Sequence, residues 1–347
     1  AALPRNDQLL RPRLESLLRP HAGGLTPAPD KPLKETQALE RVLLAMQLRE
    51  IESQKPTEVK GHPSAAAFPG EVPPTAPKVS RQVMIDTAVP KWHSTGLYAP
   101  PGGVITVSLP SEVPDASSAG LRVRIGCHTD ELWHHDEWRR MPRISSSWPI
   151  DSARVQIASA FGGLIYIEVP DEAKPGKIQV GVSGGVEAPR FVLGETSNEE
   201  WTSHVRALPG PWAELASDRV ILTIPSSVAR AIDDPQAGME HWVRVLDAMA
   251  DLAGIPHERP YPQRYVADTQ ISAGYMHSGY PIMTHLDAGS FMTDLKAQAD
   301  KGWGPYHEMG HNHQDEMWTF DGTGEVTCNL FTLYVLENVC QVMDASK

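Results

Sequence analysis

The sequence predicts a multidomain α+β protein: an N-terminal helical appendage, then a β-sandwich, then an α/β domain built around a metal-binding helix. Three observations predict it. A lone helical periodicity in residues 1–55 gives way to a proline-rich run. Short alternating strands then fill 79–193. From 194 onward strand and helix patterns mix around the sequence His307-Glu308-Met309-Gly310-His311.

In the appendage, Asp30 is a candidate cap with Pro32 in the first helical turn. Leu33, Leu39, Val42, Leu43, Met46 and Ile51 recur at helical spacing up to the break at 53–56. Residues 56–78 read as a linker, since six prolines from Pro56 to Pro77 among small residues favour extended chain over packed structure.

The sandwich rests on five runs: GVITVSLP, LRVRIGCH, RVQIAS, GGLIYIEVP and KIQVGVSGG. Alternation of Leu121, Val123 and Ile125, or of Ile178, Val180 and Val182, turns apolar side chains to one face of a half-buried strand. Between the runs, Trp133, Trp138 and Trp148 flank His134, His135, Asp136 and Glu137. Adjacent histidines on an irregular segment have no preset ligand geometry, so this reads as a loop whose tryptophans plug the sandwich edge rather than as a second metal site or a sugar-stacking surface.

In residues 194–347, RVILTIP and RYVADTQIS read as strands. Asp233-Asp234-Pro235 opens a helix in which Trp242, Val245, Leu246, Met249 and Leu252 mark one face and Gly254 caps the end.

The net charge of −12 leaves no excess of lysine and arginine for phosphates, which argues against duplex nucleic acid or an anionic membrane as partner. No apolar run reaches the length of a transmembrane segment. Cys127, Cys328 and Cys340 form no CxxC pair and leave an odd thiol, which points to neither a zinc knot nor a disulfide framework. The start at Ala1-Ala2-Leu3, without methionine or a basic-then-apolar leader, is that expected of a mature form whose signal has been removed.

On a helix, the spacing of His307 and His311 puts both imidazoles on one face, where they converge on one ion. Zinc suits them: a catalytic zinc takes three protein ligands and keeps one position open. Glu308 lies beside the first histidine, suited to take a proton from water attacking a carbonyl. The third ligand must come from elsewhere. Gln314 and Met317 stand where an HExxHxxGxxH site needs glycine and histidine, which excludes that class. Glu325, opening a second helical run after the turn 321–324, ranks ahead of Asp315, Glu316 and Asp321. Asn329 shares its face and is a candidate to orient a histidine ligand. His313 reads as a surface residue or a neighbour of the ligands.

These residues carry a resemblance. GWGPYHEMGHNHQ followed by GTGEVTCNLF resembles peptidase family M60, the enhancin-like and mucin-degrading gluzincins, whose pattern is HExxH, a gap, then glutamate. RYVADTQISAGYMHSGYPIM, GLYAPPGGVITVSLP, RRMPRIS and FGGLIYIEVP extend the likeness over about residues 80–345. The resemblance implies a gluzincin-type catalytic domain with one Zn2+ per chain on His307, His311 and Glu325, and Glu308 as base. It further implies an O-glycopeptidase that cleaves O-glycosylated, mucin-type proteins and acts secreted, at the cell surface or in the periplasm. Trp303, Tyr306, His277 and Tyr280 are candidates to stack on sugar or steady an oxyanion, with core packing the alternative for each. Little chain follows Glu325 where such domains continue into helices that wall the cleft. Either the chain is one piece of a longer polypeptide, with the oxyanion stabiliser elsewhere, or its site is shallower than in relatives.

Overall fold

The computed structural model describes residues 7–21, 25–110, 120–173 and 176–342, so the start at Ala1–Leu3 lies outside the described residues. The appendage departs from the expected helix. Leu33–Lys34 is a short strand, β1, and the helix begins at Ala38 and runs to Glu52. Asp30 and Pro32 therefore cap nothing. Backbone pairing wins over helical spacing here because β1 finds a partner in β6, Glu137–Trp138, far along the chain. A further helix, Leu10–His21, precedes it.

The proline-rich segment is packed, not extended. His62 caps a short 3-10 turn at Pro63–Ala66, and Val59, His62, Ser64, Ala65 and Phe68 are buried. Its carbonyls are used as well: Trp212 Nε1 donates to Pro69 O at 2.7 Å and the Tyr98 hydroxyl to Gly70 O at 2.7 Å. Composition misled because the apolar anchors Val59 and Phe68 sit among the prolines and dock into a groove built by both later halves.

Eight strands follow in one sheet: β2 (Val79–Asp86), β3 (Lys91–Ala99), β4 (Val104–Ser108), β5 (Arg122–Ile125), β7 (Ser146–Pro149), β8 (Arg154–Ala158), β9 (Gly163–Val169) and β10 (Lys177–Glu187), hydrogen-bonded in the order β7-β5-β9-β3-β10-β4-β8 with β2 also paired to β10. The sheet turns on itself along β10, which pairs with β4 before a bulge at Ser183/Gly185, with β3 after it, and with β2 up to Gly185. Gly184, at φ 95°, supplies the backbone this bend needs. Ile85, Leu97, Val107, Val123, Ile125, Ile167 and Val180, drawn from both halves of the sheet, fill the core between them.

The second sheet is mixed, in the order β11 (Arg190–Val192), β12 (Trp212–Ala216), β13 (Val220–Pro225), β14 (Gln263–Asp268), β16 (Ile282–His285) and β15 (Met276–His277). β15 is its free edge, antiparallel to β16. The helix Pro235–Ala253 has Asp234 Oδ1 accepting from Ala237 N at 3.0 Å and ends on left-handed Gly254. Trp242, Val245, Leu246 and Met249 are buried, but Leu252 is exposed, one residue off the face.

Two fully buried ion pairs lie where the sheets meet. Arg140 clasps Asp268 through Nε–Oδ1 at 2.8 Å and Nη2–Oδ2 at 2.7 Å, and its other donors reach Met141 O and Asp130 O. Arg264 pairs with Glu214 and donates to Thr223 Oγ1 at 3.2 Å and Ser94 Oγ at 3.1 Å. Every charge here is partnered, the condition under which buried ions persist.

Candidate metal centre

The helix Trp303–His311 carries both histidines, and Gly324–Asn338 crosses it with Glu325 in the first turn. The crossing is close because of a glycine. A Cβ on Gly310 would lie 2.5 Å from Cys328 O, so no larger residue fits between the helices.

Three donors converge there. His307 Nε2 is 3.2 Å from His311 Nε2 and 3.1 Å from Glu325 Oε2, and His311 Nε2 is 3.5 Å from the same oxygen. Tetrahedral zinc with bonds of about 2.0–2.1 Å puts its donors about 3.3–3.5 Å apart, so the spacing fits.

The protonation pattern is also set. Asn329 donates its amide N–H to Glu325 O at 2.7 Å, which turns its oxygen to His307 Nδ1 at 2.7 Å. Gln314 donates to Gly324 O and Thr327 Oγ1, which turns its oxygen to His311 Nδ1 at 2.9 Å. Each Nδ1 therefore carries the proton, and each Nε2 presents a lone pair. Two imidazole lone pairs and a carboxylate oxygen facing one another repel unless a cation lies between them. The donor set fits zinc.

Cys328 completes a His-His-Glu-Cys grouping whose donor atoms lie within 4.8 Å of one another. Its Sγ is 3.5 Å from His307 Nδ1 and 3.7 Å from Nε2, which places it over the ring face and off the Nε2 lone pair. Burial holds its thiol up at about 11. It packs as a neutral thiol. Asp315, Glu316 and Asp321 are exposed and outside the cluster.

Glu308 is half-buried on the same helix. Burial raises its carboxyl above the usual range, and His307 and His311 oppose the rise. β15 packs against this helix where Gly304 meets Met276, and Asn312 closes the far end by exchanging hydrogen bonds with Gly279, 3.0 Å from its N and 2.9 Å to its O.

The four outlying candidates divide. Trp303 is 42% exposed at the start of the metal helix, free to meet a ligand. Tyr306 is fully buried, its hydroxyl donating to Gln298 Oε1 at 3.3 Å and its ring against Trp242, so it belongs to the core and stacks on no sugar. Tyr280 is half-buried, edge-on against Trp92 and Tyr261, with its hydroxyl accepting from Arg264 Nε at 3.4 Å. His277 has Asp130 Oδ2 at 2.8 Å from Nε2 and Ser278 O at 3.1 Å from Nδ1. The Asp130 hydrogen bond raises its pKa above the ordinary histidine value, and this pair ties β15 to the loop 130–140. His313 is buried rather than on the surface; its Nδ1 donates to Met309 O at 2.8 Å.

Sequence reasoning missed the role of the loop 130–140. His134 Nε2 meets Ser272 O at 2.8 Å, His135 Nε2 meets Ile271 O at 3.0 Å, and Arg139 N donates to Gln270 Oε1 at 2.7 Å. These residues brace the chain between β14 and β15, beside the metal helix; of the three tryptophans, Trp148 on the edge strand β7 packs against the sandwich core, whereas Trp133 and Trp138 join the cluster between the sheets. Trp133 and Trp138 meet edge-on, with Arg41 stacked on Trp138. The signal was the density of side chains able to bond backbone carbonyls. Gln314 was also missed as a partner of His311; its place three residues beyond that histidine was the available clue.

Residues 184–347 match the family model described as peptidase M60, enhancin and enhancin-like, and residues 74–183 match that of the N-terminal domain of M60-like peptidases. TRPM8 channel-associated factor 1 of Pongo abelii is 45% identical over 250 residues, 72% of this chain. The match spans only 27% of that relative. Among solved structures, a functionally unknown conserved protein from Bacillus anthracis aligns with TM-score 0.60 at 21% identity, over 75% of this chain and 55% of that one. The IMPa structure from Pseudomonas aeruginosa in complex with an O-glycopeptide aligns with TM-score 0.58 at 19% identity, over 94% and 44%. Such identities speak for the fold alone.

Proposed function

The chain belongs to the M60 peptidase family, and from that premise we propose that it is a zinc-dependent endopeptidase acting on O-glycosylated, mucin-type proteins. The observation that carries the reading is the convergence of two imidazole lone pairs and a carboxylate, each histidine fixed from behind by an amide oxygen.

His307, His311 and Glu325 would hold the zinc, which when bound supplies Lewis acidity toward water and a carbonyl oxygen. Glu308 accepts the proton of the attacking water on its carboxylate and returns it to the departing amine. The free edge of β15 offers unpaired backbone to an extended peptide, and strand addition there lays the chain along the metal helix. Trp303 is the exposed aromatic at the start of that helix for a glycan to meet. The O-glycopeptide in the IMPa complex supports this substrate class, and a secreted or cell-surface site of action goes with it.

One O-glycopeptide and its unglycosylated twin, digested by wild type and Glu308→Gln, test the reading. Cleavage of the glycosylated form alone, lost in Glu308→Gln with zinc content unchanged, is expected. Equal cleavage of both peptides leaves a general gluzincin protease.

A second reading is a non-catalytic binding protein that associates with a membrane channel or a glycan. The name carried by the relative at 45% identity favours it. Wild-type protein that leaves every glycopeptide intact while loaded with zinc would select it.

A further inference from the structure

Away from the metal helix, a cleft of about 560 Å3 opens between the helix Ala38–Glu52 and the sandwich. Its lining runs from Leu48 to Val59 and from Arg143 to Phe161, with nothing from the second sheet or its helices. The volume lies within the roughly 300–1,000 Å3 of small-molecule sites.

Its chemistry narrows the occupant. The one lining cation, Arg143, is already paired with Glu52 and lies 3.6 Å from Glu131, so an anionic ligand finds no free positive charge. Trp148 packs against the sandwich core and is still half-exposed in the cleft. Strand β7 fixes it, through the pairing of Trp148 with Val123. The same lining holds the amide of Gln54 and the hydroxyl of Ser146, while the carboxylate of Glu52 is taken by Arg143. The neighbouring Ser147 hydroxyl is already held by Arg122 and Glu168. A half-exposed aromatic side chain in one lining with neutral donors and acceptors matches a ligand with an apolar C–H face and a hydroxyl rim.

We propose that this cleft binds a neutral saccharide, with Trp148 stacked on the sugar ring and Gln54 and Ser146 bonding its hydroxyls. The proposal rests on the lining alone and is independent of the peptidase reading.

Calorimetric titration of metal-free Glu308→Gln protein with N-acetylgalactosamine, galactose, N-acetylglucosamine and maltose tests it, since that protein has no working metal centre. Saturable binding of at least one sugar is expected, weakened at least about tenfold by Trp148→Ala. Ser146→Phe, which fills the cleft and keeps Trp148, should weaken binding equally with its thermal midpoint unchanged, which covers the case of a Trp148→Ala protein that fails to fold. Absence of binding by all four sugars at millimolar concentration overturns the proposal. So does binding that survives both substitutions. A proline-rich peptide that binds with the same dependence on Trp148, when the sugars do not, reassigns the cleft to a protein partner.

Discussion

The amide oxygen of Asn329 sits 2.7 Å from Nδ1 of His307, on the side of the ring away from the donor cluster, and the Asn329 N–H group is anchored on Glu325 O. One side chain thus fixes the tautomer of one candidate ligand and the helical turn that carries another. Asn329→Ala should lower zinc affinity about 10–100-fold, the usual cost of losing such a partner. Gln314→Ala should act alike through His311. Competition with a chromophoric chelator measures both; unchanged affinity would refute the tautomer argument.

Gly310→Ala tests the crossing of the two helices. Its Cβ would meet Cys328 O at 2.5 Å, so the helices must part. Overpacking of this kind costs about 1–3 kcal/mol, and the separation should also pull Glu325 from the histidines. Thermal unfolding and zinc content should fall together, whereas Gly322→Ala, with open space around its Cβ but φ at 78°, should affect stability alone.

Arg140→Met strands the buried Asp268 carboxylate, and a loss of about 3–5 kcal/mol in urea unfolding is expected. The double variant Arg140→Met/Asp268→Leu removes both charges and should recover much of that loss. A double variant no better than the single one would mean that the bonds to Met141 O and Asp130 O, not charge, hold this junction.

Acid should destabilise the fold early. Burial lowers His62, His128, His241 and His313 from 6.5 to about 4. An unfolded chain binds these protons first, so stability falls as pH drops through 6.5 and goes on falling to about 4, below which these groups add nothing further. His277 has the opposite sign: its raised pKa contributes stability that is full below 6.5 and lost as pH rises through the raised value. Urea midpoints across this range, with His128→Gln as the variant that flattens the slope, check the assignment.

The metal helix and the glutamate after the turn could be read in the sequence because their geometry is local: helical spacing fixes the two histidines, and a turn followed by a new helix fixes Glu325. The strands carried by strict alternation were readable for the same reason. What escaped depends on distant partners. β1 exists only because β6 lies beside it. Residues 56–78 pack because Val59 and Phe68 find a distant groove and because Trp212 and Tyr98 take their carbonyls. Tyr306 was assigned by nearness to the motif, and sequence nearness does not say on which side of a helix a ring falls.

The ties across the two sheets bear on how this protein can be inherited. A stretch starting at residue 194 would carry Asp268 without Arg140, His277 without Asp130, and Arg264 without Ser94. Its donor cluster would be present and the ties that seat it gone. Recombination should therefore move the two halves as one cassette, with gene fusions clustering outside that span, and the bracing loop 130–140 should change in step with residues 268–277.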